Sequence, residues 1–291
     1  MASSTAPLIL RNNKSVLVIE KNCFGGQITW SPKVENFPTI ESISGTELAD
    51  RLTSQVMNQG ADMELDEVTS VEIKDGIKVV KTEFGETFEG KALIIATGAK
   101  PRMLGVQREE ELVGAGVCYC AVCDGAFYKG HPVAVTGGGN SALQDAILLS
   151  ETCSKVYLIH RRDSFRGEAK LVQALEAKAN VEFVLGCSIT ALKGENELEG
   201  ITVSDKDGVS RDIAVDGLFV AIGHAPDNGV FASLMELDEV GYAASGEDCM
   251  TKTAGVFVAG DCRKKSVRQL TTAAADGSAA ALNACRYLDS L

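Results

Sequence analysis

The sequence predicts an α/β protein built from parallel sheets with helices on their faces. Short apolar segments of strand length alternate along the chain with segments whose apolar residues recur at helical spacing. A strand at 133–136 runs into a glycine triplet and then into a helix at 141–150, and the apolar segment 217–223 closes the same block. Because this middle block is complete in itself, we expect the segments on either side of it to form one discontinuous domain.

The individual elements follow from apolar spacing and from turn residues. Leu48, Leu52 and Val56 lie at helical spacing and predict a helix over 45–60, and glycine-bearing turns divide 62–88 into several strands. The other predicted strands are 14–20, 91–98, 156–160, 181–185 and 255–261, and the other predicted helices are 168–179 and 270–288.

Two domains are predicted from this order. The inserted domain covers 109–226, and the discontinuous one combines 1–108 with 227–291. Glycine-bearing segments at 105–116 and 223–229 are the predicted connections. A length of 291 residues suits two domains of ordinary size.

Composition limits the classes of function. With 45% hydrophobic and 23% charged residues, the chain has the balance of a soluble globular protein. A net charge of -12 argues against nucleic acid or an anionic membrane as the main partner. Nine cysteines in an irregular pattern indicate a reducing cytoplasm rather than a secreted disulfide framework. We find no apolar run of membrane-spanning length and no secretory signal at the N-terminus.

A Cys-x-x-Cys pair, Cys120 and Cys123, is followed at once by Asp124 and precedes the glycine triplet. This spacing lets two thiols close a small disulfide ring and favours dithiol–disulfide interchange, and Asp124 could exchange protons with a departing thiolate. Half of a zinc site is the alternative, but the cysteines away from this segment are scattered singly and no histidine lies near Cys120. We therefore predict a redox pair and no metal site.

The glycine triplet 137–139 follows a strand and opens a helix, in the order Gly-x-Gly-x-x-Ala. Such a turn lets the pyrophosphate of a dinucleotide approach the backbone and the helix N-terminus. The next strand ends in His160, Arg161 and Arg162, with Arg166 following. Arginines at this strand end suit the extra phosphate of NADP, whereas an acid would bind the free ribose of NAD. A solvated basic turn is the alternative; we favour NADP.

Further short motifs occur in order along the chain: Gly25-Gly26-Gln27, Val34-Glu35-Asn36-Phe37-Pro38, Ala96-Thr97-Gly98-Ala99, Gly260-Asp261 and Arg268-Gln269. With the cysteine pair and the nucleotide turn, they resemble the low-molecular-weight thioredoxin reductases of the pyridine nucleotide-disulfide oxidoreductase group. The resemblance covers nearly the whole chain. It implies two Rossmann-like three-layer dinucleotide-binding domains, with the NADPH domain inserted into a discontinuous FAD domain.

This resemblance implies a flavoprotein oxidoreductase with FAD and NADPH as cofactors. NADPH reduces FAD, the flavin reduces a disulfide between Cys120 and Cys123, and the dithiol reduces thioredoxin or a thioredoxin-like protein. Cys123 faces the flavin, Cys120 attacks the partner's disulfide, and Asp124 is the acid–base residue. A homodimer is also implied. Two alternatives stay open: a reductase for a peroxiredoxin or another thioredoxin-like partner, and a truncated, flavin-free NADP-binding protein without reductase turnover.

The resemblance also assigns binding residues. Those for NADP are Gly137, Gly139, Asn140, Ser141, His160, Arg161, Arg162 and Arg166. Those for FAD are Glu20, Gly25, Gly26, Gln27, Asn36, Ala96, Thr97, Gly98, Asp261, Arg268, Gln269 and Leu270.

One part of the family pattern is missing, namely the first strand with its Gly-x-Gly-x-x-Gly turn. Residues 2–13 contain no glycine, and 6–11 resembles the helix that follows this turn. Loss of this central strand would leave two neighbours unpaired and would remove the amides that hold the FAD pyrophosphate. Three explanations are open: a shortened or misassembled gene, which we favour, an N-terminus that pairs differently, and loss of flavin.

Several other residues are expected to have no catalytic role. Lys264 and Lys265, which follow Asp261, are expected to be solvated. Trp30 is expected to pack near the surface of the flavin domain. Cys118 stands two residues before Cys120 and is a candidate for an off-pathway disulfide.

Overall fold

The structure, a computed structural model, describes residues 2–291, and the side chains from residue 5 onward. Within that range the helices are α1 Ala2–Arg11, α2 Gly45–Asn58, α3 Ala121–Asp124, α4 Asn140–Ser150, α5 Ala169–Glu176 and α6 Leu270–Asp289. The strands are β1 Leu17–Glu20, β2 Asp62–Leu65, β3 Val68–Lys74, β4 Ile77–Thr82, β5 Thr87–Gly90, β6 Leu93–Ile95, β7 Ala99–Pro101, β8 Val117–Cys118, β9 Pro132–Thr136, β10 Lys155–His160, β11 Val181–Leu185, β12 Cys187–Lys193, β13 Gly200–Asp205, β14 Ser210–Ile213, β15 Gly217–Val220, β16 His224–Pro226 and β17 Val256–Val258. Short 3-10 helices lie at Gly26–Trp30, Gly125–Tyr128, Gly229–Phe231 and Gly260–Cys262.

The chain forms two compact units, which divide it after Lys100 and after His224. The first unit holds the N-terminal segment and residues 225–291, and the second unit is the insertion between them. The two connecting segments are extended, and β7 pairs with β16 as a two-stranded sheet.

The second unit is built around a five-stranded sheet in the order β11-β10-β9-β15-β8. All its pairings are parallel, so each strand returns through a connection that covers a face of the sheet. Val133 and Val135 of β9, Leu158 of β10 and Leu143 of α4 are fully buried and belong to one apolar cluster. Burial on both faces explains why these strands are continuous apolar runs in the sequence.

An antiparallel sheet, β12-β13-β14, extends this unit and was not predicted from the sequence. The pairing of β12 with β13 shifts register between Ile189 and Ala191. A bulge of this kind breaks the strict alternation of buried and exposed residues by which a half-buried strand is identified. Ile201 and Val203 of β13 are nevertheless buried, and they join the core of the unit.

The first unit contains two parallel pairs, β1 with β2 and β6 with β17, and an antiparallel sheet, β3-β4-β5. Helix α2 begins after Ser44, whose hydroxyl accepts a hydrogen bond from the Glu47 amide at 3.1 Å. Helix α6 packs its alanine face, with Ala280 and Ala284, against Phe257 of β17. Small side chains let the helix lie close to the strand.

Helix α1 precedes β1 and packs against α6. Ile9 of α1 is buried together with Ala281 and Cys285 of α6, and Val16 and Ile94 flank this cluster. The sequence indicated a helix remnant over 6–11, and the structure forms a helix from Ala2 to Arg11. In the second unit α4 holds the equivalent place in chain order, between the nucleotide turn and β10.

Within residues 2–291, no strand pairs with the free edges of β1 and β6. β1 pairs with β2 alone, and β6 pairs with β17 alone. Leu17 of β1 is 38% exposed, whereas Val156, Leu158 and Ile159 of β10 in the second unit are fully buried. The expectation that two strands would be left unpaired is therefore met in the described chain. The prediction of an α/β fold with one unit inserted into the other is confirmed.

Candidate active site

The structure joins Cys120 and Cys123 in a disulfide. Cys120 is extended and caps α3, and its sulfur accepts a hydrogen bond from the Cys123 amide at 3.2 Å. Val122, between the two cysteines, is 67% exposed, so the disulfide lies at the surface of the second unit. The helical turn brings residues three apart close together, which is why this spacing closes a small ring.

Asp124 ends α3, directly after the disulfide. Burial raises the pKa of the Asp124 carboxyl to about 6. A carboxyl with a pKa in this range exchanges protons near neutral pH, as an acid–base residue beside a thiol requires. The structure therefore gives Asp124 the electrostatic environment that its position in the sequence suggested.

Cys118 lies on β8, at the buried edge of the same region, and is held by a contact that the sequence did not reveal. Its sulfur is 3.4 Å from the Tyr128 hydroxyl. Burial, with a smaller contribution from Asp124, raises the pKa of the Cys118 thiol to about 12. The thiol is thus protonated and unreactive at neutral pH, which argues against an off-pathway disulfide with Cys120.

The sequence analysis did not identify Tyr128, because its contact residues are remote along the chain. Its ring meets Phe219 edge-on, with the ring centroids 5.4 Å apart. A Cβ on Gly217 would lie 2.7 Å from the same ring, so the glycine leaves room for it. Tyr128 therefore connects β15 to the residues around the disulfide.

The nucleotide turn follows β9 and has the shape that a pyrophosphate needs. A Cβ on Gly137 would lie 2.4 Å from the Ala221 carbonyl oxygen, and one on Gly138 would lie 2.1 Å from the ring of His160. Gly139 faces open space, and no side chain caps the N-terminus of α4, which begins at Asn140. The first amides of the helix are therefore free for an anionic ligand.

The basic strand end lies beside this turn. His160 is buried, its Nε2 has no hydrogen-bond partner within the described chain, and its ring stacks on Phe165 with centroids 5.4 Å apart. Burial, and then the charges of Arg162, Arg166 and Arg161, lower the pKa of His160. The three arginine side chains are exposed and make no ion pair among residues 2–291. Three unpaired guanidinium groups suit the additional phosphate of NADP.

Two of the predicted NADP residues differ in what they contact. The Asn140 side chain donates to the Glu168 carboxylate at 3.0 Å and accepts from the Glu168 amide at 2.8 Å. Asn140 therefore connects the start of α4 to the loop that contains the arginines. Glu168 is a residue that the sequence analysis missed. Ser141, the second residue of α4, is exposed.

The first unit brings several of the predicted FAD residues together in pairs. Gln27 donates to the Ala99 carbonyl at 2.9 Å, and a Cβ on Gly98 would meet the Gln27 amide nitrogen at 4.0 Å. Asn36 donates to the Gln269 side chain at 3.1 Å, although 233 residues separate the two in sequence. Segments that the sequence could only place in order are therefore adjacent in the fold.

Thr97 reaches a buried asparagine that the sequence analysis missed. Its hydroxyl donates to the Asn228 side-chain oxygen at 2.9 Å. The Asn228 amide in turn donates to the carbonyls of Gly241, at 2.9 Å, and Cys262, at 3.0 Å. Asn228 is 1% exposed, so it links the turn after β6 to the turn after β17.

The remaining predicted FAD residues lie at element ends. Gly25 and Gly26 have positive φ, and a Cβ on Gly25 would lie 2.4 Å from the Cβ of Ala49. Glu20 ends β1 and accepts from the Asn22 amide at 3.1 Å. Ala96 follows β6, and Leu270 begins α6.

Asp261, in the 3-10 turn after β17, carries the clearest sign of a ligand in this unit. Its Oδ1 is buried and has no hydrogen-bond partner within the described chain. Burial raises the pKa of the Asp261 carboxyl. Arg268 donates to the Asp261 carbonyl at 3.4 Å, and its guanidinium lies 4.2 Å from the centre of the Tyr242 ring. An orphaned buried carboxylate oxygen fits a hydroxyl donor such as the ribityl chain of FAD.

The expectation for Lys265 was wrong. Its side chain is 11% exposed, and its ammonium pairs with Asp276 at 2.9 Å. Lys264 is exposed, as expected. The sequence could not show that the two neighbouring lysines differ in exposure, because the partner of Lys265 lies one turn into α6. Trp30, at 48% exposure, lies at the surface of the first unit.

The residues present fit FAD unevenly. The unpartnered Asp261 carboxylate fits a ribityl hydroxyl, and Gln27, Asn36 and Thr97 lie in segments that the resemblance assigns to the flavin. For the pyrophosphate, the residues described in the first unit offer no glycine turn between a strand and a helix of the kind seen at 137–139. Within residues 2–291, the first unit therefore shows an unpartnered carboxylate that suits a ribityl hydroxyl and no phosphate cradle of the kind seen in the second unit.

Comparison with known proteins agrees with this arrangement. The family of pyridine nucleotide-disulphide oxidoreductases matches residues 2–277. A thioredoxin reductase of Listeria innocua is 38% identical over 293 residues, covering 100% of this chain and 92% of that protein. A thioredoxin reductase of Streptomyces clavuligerus is 38% identical over 270 residues, covering 92% of this chain and 84% of that one.

The same agreement holds for a solved structure. The crystal structure of thioredoxin reductase from Streptococcus pyogenes superposes with a TM-score of 0.93 at 35% identity, covering 99% of this chain and 95% of that one. No helix among the residues described has the length and apolar character to cross a membrane. The match in sequence, fold and order of motifs shows that the chain belongs to the pyridine nucleotide-disulphide oxidoreductase family.

Proposed function

We propose that this enzyme is an NADPH-dependent thioredoxin-disulfide reductase. The observation that carries the proposal is the surface disulfide Cys120–Cys123, which lies in the same unit as an open nucleotide turn and a cluster of unpaired arginines. The overall reaction takes two electrons and a proton from NADPH, with a second proton from solvent, and converts the partner's disulfide into two thiols. When bound, FAD supplies the two-electron relay between nicotinamide and protein disulfide.

Each thiol has one role in this proposal. Reduction of the Cys120–Cys123 bond releases two thiols; Cys120 then attacks the partner's disulfide as a thiolate and forms a mixed disulfide. Attack by Cys123 on Cys120 restores the internal bond and releases the partner's second thiol. Asp124, with a pKa of about 6, moves the protons that these exchanges require.

The units divide the cofactors between them. We assign NADPH to the unit within 109–226, on the open turn at Gly139 and on Arg161, Arg162 and Arg166. FAD is assigned to the unit formed by 1–108 and 227–291, with the unpartnered Asp261 carboxylate as its main support.

The partner is thioredoxin or a thioredoxin-like protein. The names of the relatives support this class, and the exposure of Val122 leaves the disulfide accessible to a protein substrate. A homodimer and a cytoplasmic location belong to the same proposal. Light scattering on the purified protein tests the first, and fractionation of the source cells tests the second.

One titration tests the function. The purified chain is incubated with FAD and then with NADPH and oxidised thioredoxin, and both flavin absorbance and NADPH consumption are followed. We expect a yellow protein that bleaches with NADPH and turns over thioredoxin. A protein that stays colourless but still binds NADPH would contradict the proposal and would favour a flavin-free NADP-binding protein.

A further inference from the structure

Asp276, on the second turn of α6, is joined to the 3-10 turn that carries Asp261. Its Oδ2 accepts a hydrogen bond from the Gly260 amide at 3.0 Å. Gly260 has a φ of +82°, a backbone conformation that glycine adopts without strain. The Asp276 carboxylate thus binds the first residue of this turn, although Asp276 belongs to a helix that begins ten residues after Gly260.

Two cations flank the same carboxylate oxygen. Lys265 Nζ lies 2.9 Å from Asp276 Oδ2, and Arg263 Nε lies 3.2 Å from it, without the alignment of a hydrogen bond. The three side chains are between 7% and 14% exposed. The charge of Asp276 is therefore compensated inside the protein, and neutralising it would deprive both cations of their present anionic partner.

Lys265 also acts on Asp261. After burial, which raises the pKa of Asp261, the charge of Lys265 is the largest influence, and it lowers that pKa. The ammonium is thus close enough to interact with both carboxylates, yet it pairs with Asp276 and leaves Asp261 Oδ1 without a partner. A carboxylate already paired with lysine would have less capacity to accept a ligand's hydroxyl group.

We propose that Asp276 is a positioning residue of the flavin site, which retains Lys265 and the Gly260 amide so that the Asp261 carboxylate stays free for a hydroxyl group of the flavin side chain. This inference rests on the proposed function, because it takes the flavin as the ligand of Asp261. Asp276 itself touches no ligand in the proposal and acts through its neighbours.

The test measures FAD binding by the apoprotein through the change in flavin fluorescence. It uses variants that separate the charge of Asp276 from its hydrogen bond. Asp276→Asn keeps an acceptor for the Gly260 amide but releases Lys265, which then pairs with Asp261. We expect FAD affinity to fall by about tenfold or more, in line with loss of a hydrogen bond to a charged group. Asp276→Glu, which keeps the charge, is expected to retain more of the affinity than Asp276→Asn.

Rescue by a second substitution distinguishes positioning from simple structural support. Asp276→Asn combined with Lys265→Met removes the lysine that would block Asp261, and we expect FAD affinity to return close to that of the unmodified protein. The matched control adds Lys264→Met, which removes the exposed neighbouring charge, and it should not rescue. If the double variant with Lys265→Met folds but binds FAD more weakly than the unmodified protein by about tenfold or more, the inference is wrong, and this criterion does not require the single variant to fold.

A second measurement needs no cofactor. In the apoprotein, carbon-detected NMR titration should show a lower pKa for Asp261 in Asp276→Asn, because Lys265 approaches and a negative neighbour is lost; an unchanged pKa would overturn the inference. Asp261→Asn separates this inference from the proposed function. If that variant binds FAD normally, the flavin assignment of Asp261 fails; if it weakens binding while Asp276→Asn does not, only the role of Asp276 fails.

Discussion

The two units of this chain follow one plan, and within residues 2–291 the second unit shows one strand for which the first shows no counterpart. In the second unit β9 lies between β10 and β15, its central residues are fully buried, and its glycine turn opens α4. In the first unit α1, β1 and β2 repeat the order of α4, β10 and β11, but within residues 2–291 no strand lies against the free edges of β1 and β6.

This difference separates two parts of a dinucleotide site. The phosphate cradle is local, because a strand, a turn and a helix N-terminus follow one another in sequence. The proposed flavin site is not local: Asn36 meets Gln269, and Thr97 meets Asn228, across 233 and 131 residues. Within the described residues, the first unit brings the proposed flavin-site residues together but shows no phosphate cradle. The contribution of each part to binding can therefore be measured separately.

The largest expected effect concerns the disulfide of the second unit. Cys123→Ser should reduce thioredoxin turnover to background, because no internal disulfide can form, while NADPH still reduces bound flavin. Stopped-flow absorbance of the flavin and a thioredoxin assay measure the two steps. Residual turnover above background would contradict the assigned role. Cys153→Ser, at a buried free cysteine, is the matched control and should retain turnover.

A second experiment offers the open edges of β1 and β6 a strand with a glycine turn. Placing a copy of residues 132–139 directly ahead of Ala2 should tighten FAD binding on the order of a hundredfold, since a strand can pair with β1 and β6 and the glycine turn offers free amides. The Val16 carbonyl accepts from Asp62 of β2, so the backbone groups of Leu17 and Ile19 point to the open side.

Isothermal titration of FAD measures this effect. The control carries valine in place of the three copied glycines, so that a strand is present without a cradle. Equal affinity for FAD in both fusions would show that the strand and not the turn is what matters. No gain in either would mean that the edges of β1 and β6 do not accept a strand.

A third experiment tests the phosphate specificity of the complete unit. Replacing Arg161 and Arg162 by alanine should weaken NADPH binding by about ten- to a hundredfold and NADH binding little, because two charge-assisted contacts to one phosphate are lost. Kd values for both nucleotides measure this. Arg211→Ala, at an arginine that pairs with Glu182 in the same unit, is the control. Equal loss for both nucleotides would assign the arginines a different role.

The smallest effect concerns pH and stability. The pKa of Asp124 is raised to about 6 from 3.8, so the folded state favours the protonated carboxyl and loses stability as pH rises between these values. Asp124→Asn should therefore raise the melting temperature at pH 7.5 by a few degrees and change it little at pH 3.5. A melting temperature that did not depend on this residue at pH 7.5 would contradict the burial argument.

Asp145 provides the matched control for that experiment. Burial raises its pKa to about 6 as well, and it lies in α4 away from the disulfide in sequence. Asp145→Asn should stabilise the protein with the same pH dependence and leave thioredoxin turnover intact, whereas Asp124→Asn should lower turnover. If both variants lose turnover equally, Asp124 has no special acid–base role.

What the sequence determined by itself is local. The α/β class, β9 with its glycine turn and α4, and the short spacing of Cys120 and Cys123 depend on residues close together in the chain, where periodicity and backbone geometry act directly. The tertiary structure alone decided the partners of Asn228, Tyr128 and Asp276, and it separated buried Lys265 from exposed Lys264. These contacts arise because packing brings remote segments together and favours a partner for each buried polar group, and no pattern of neighbouring residues encodes which partner that is.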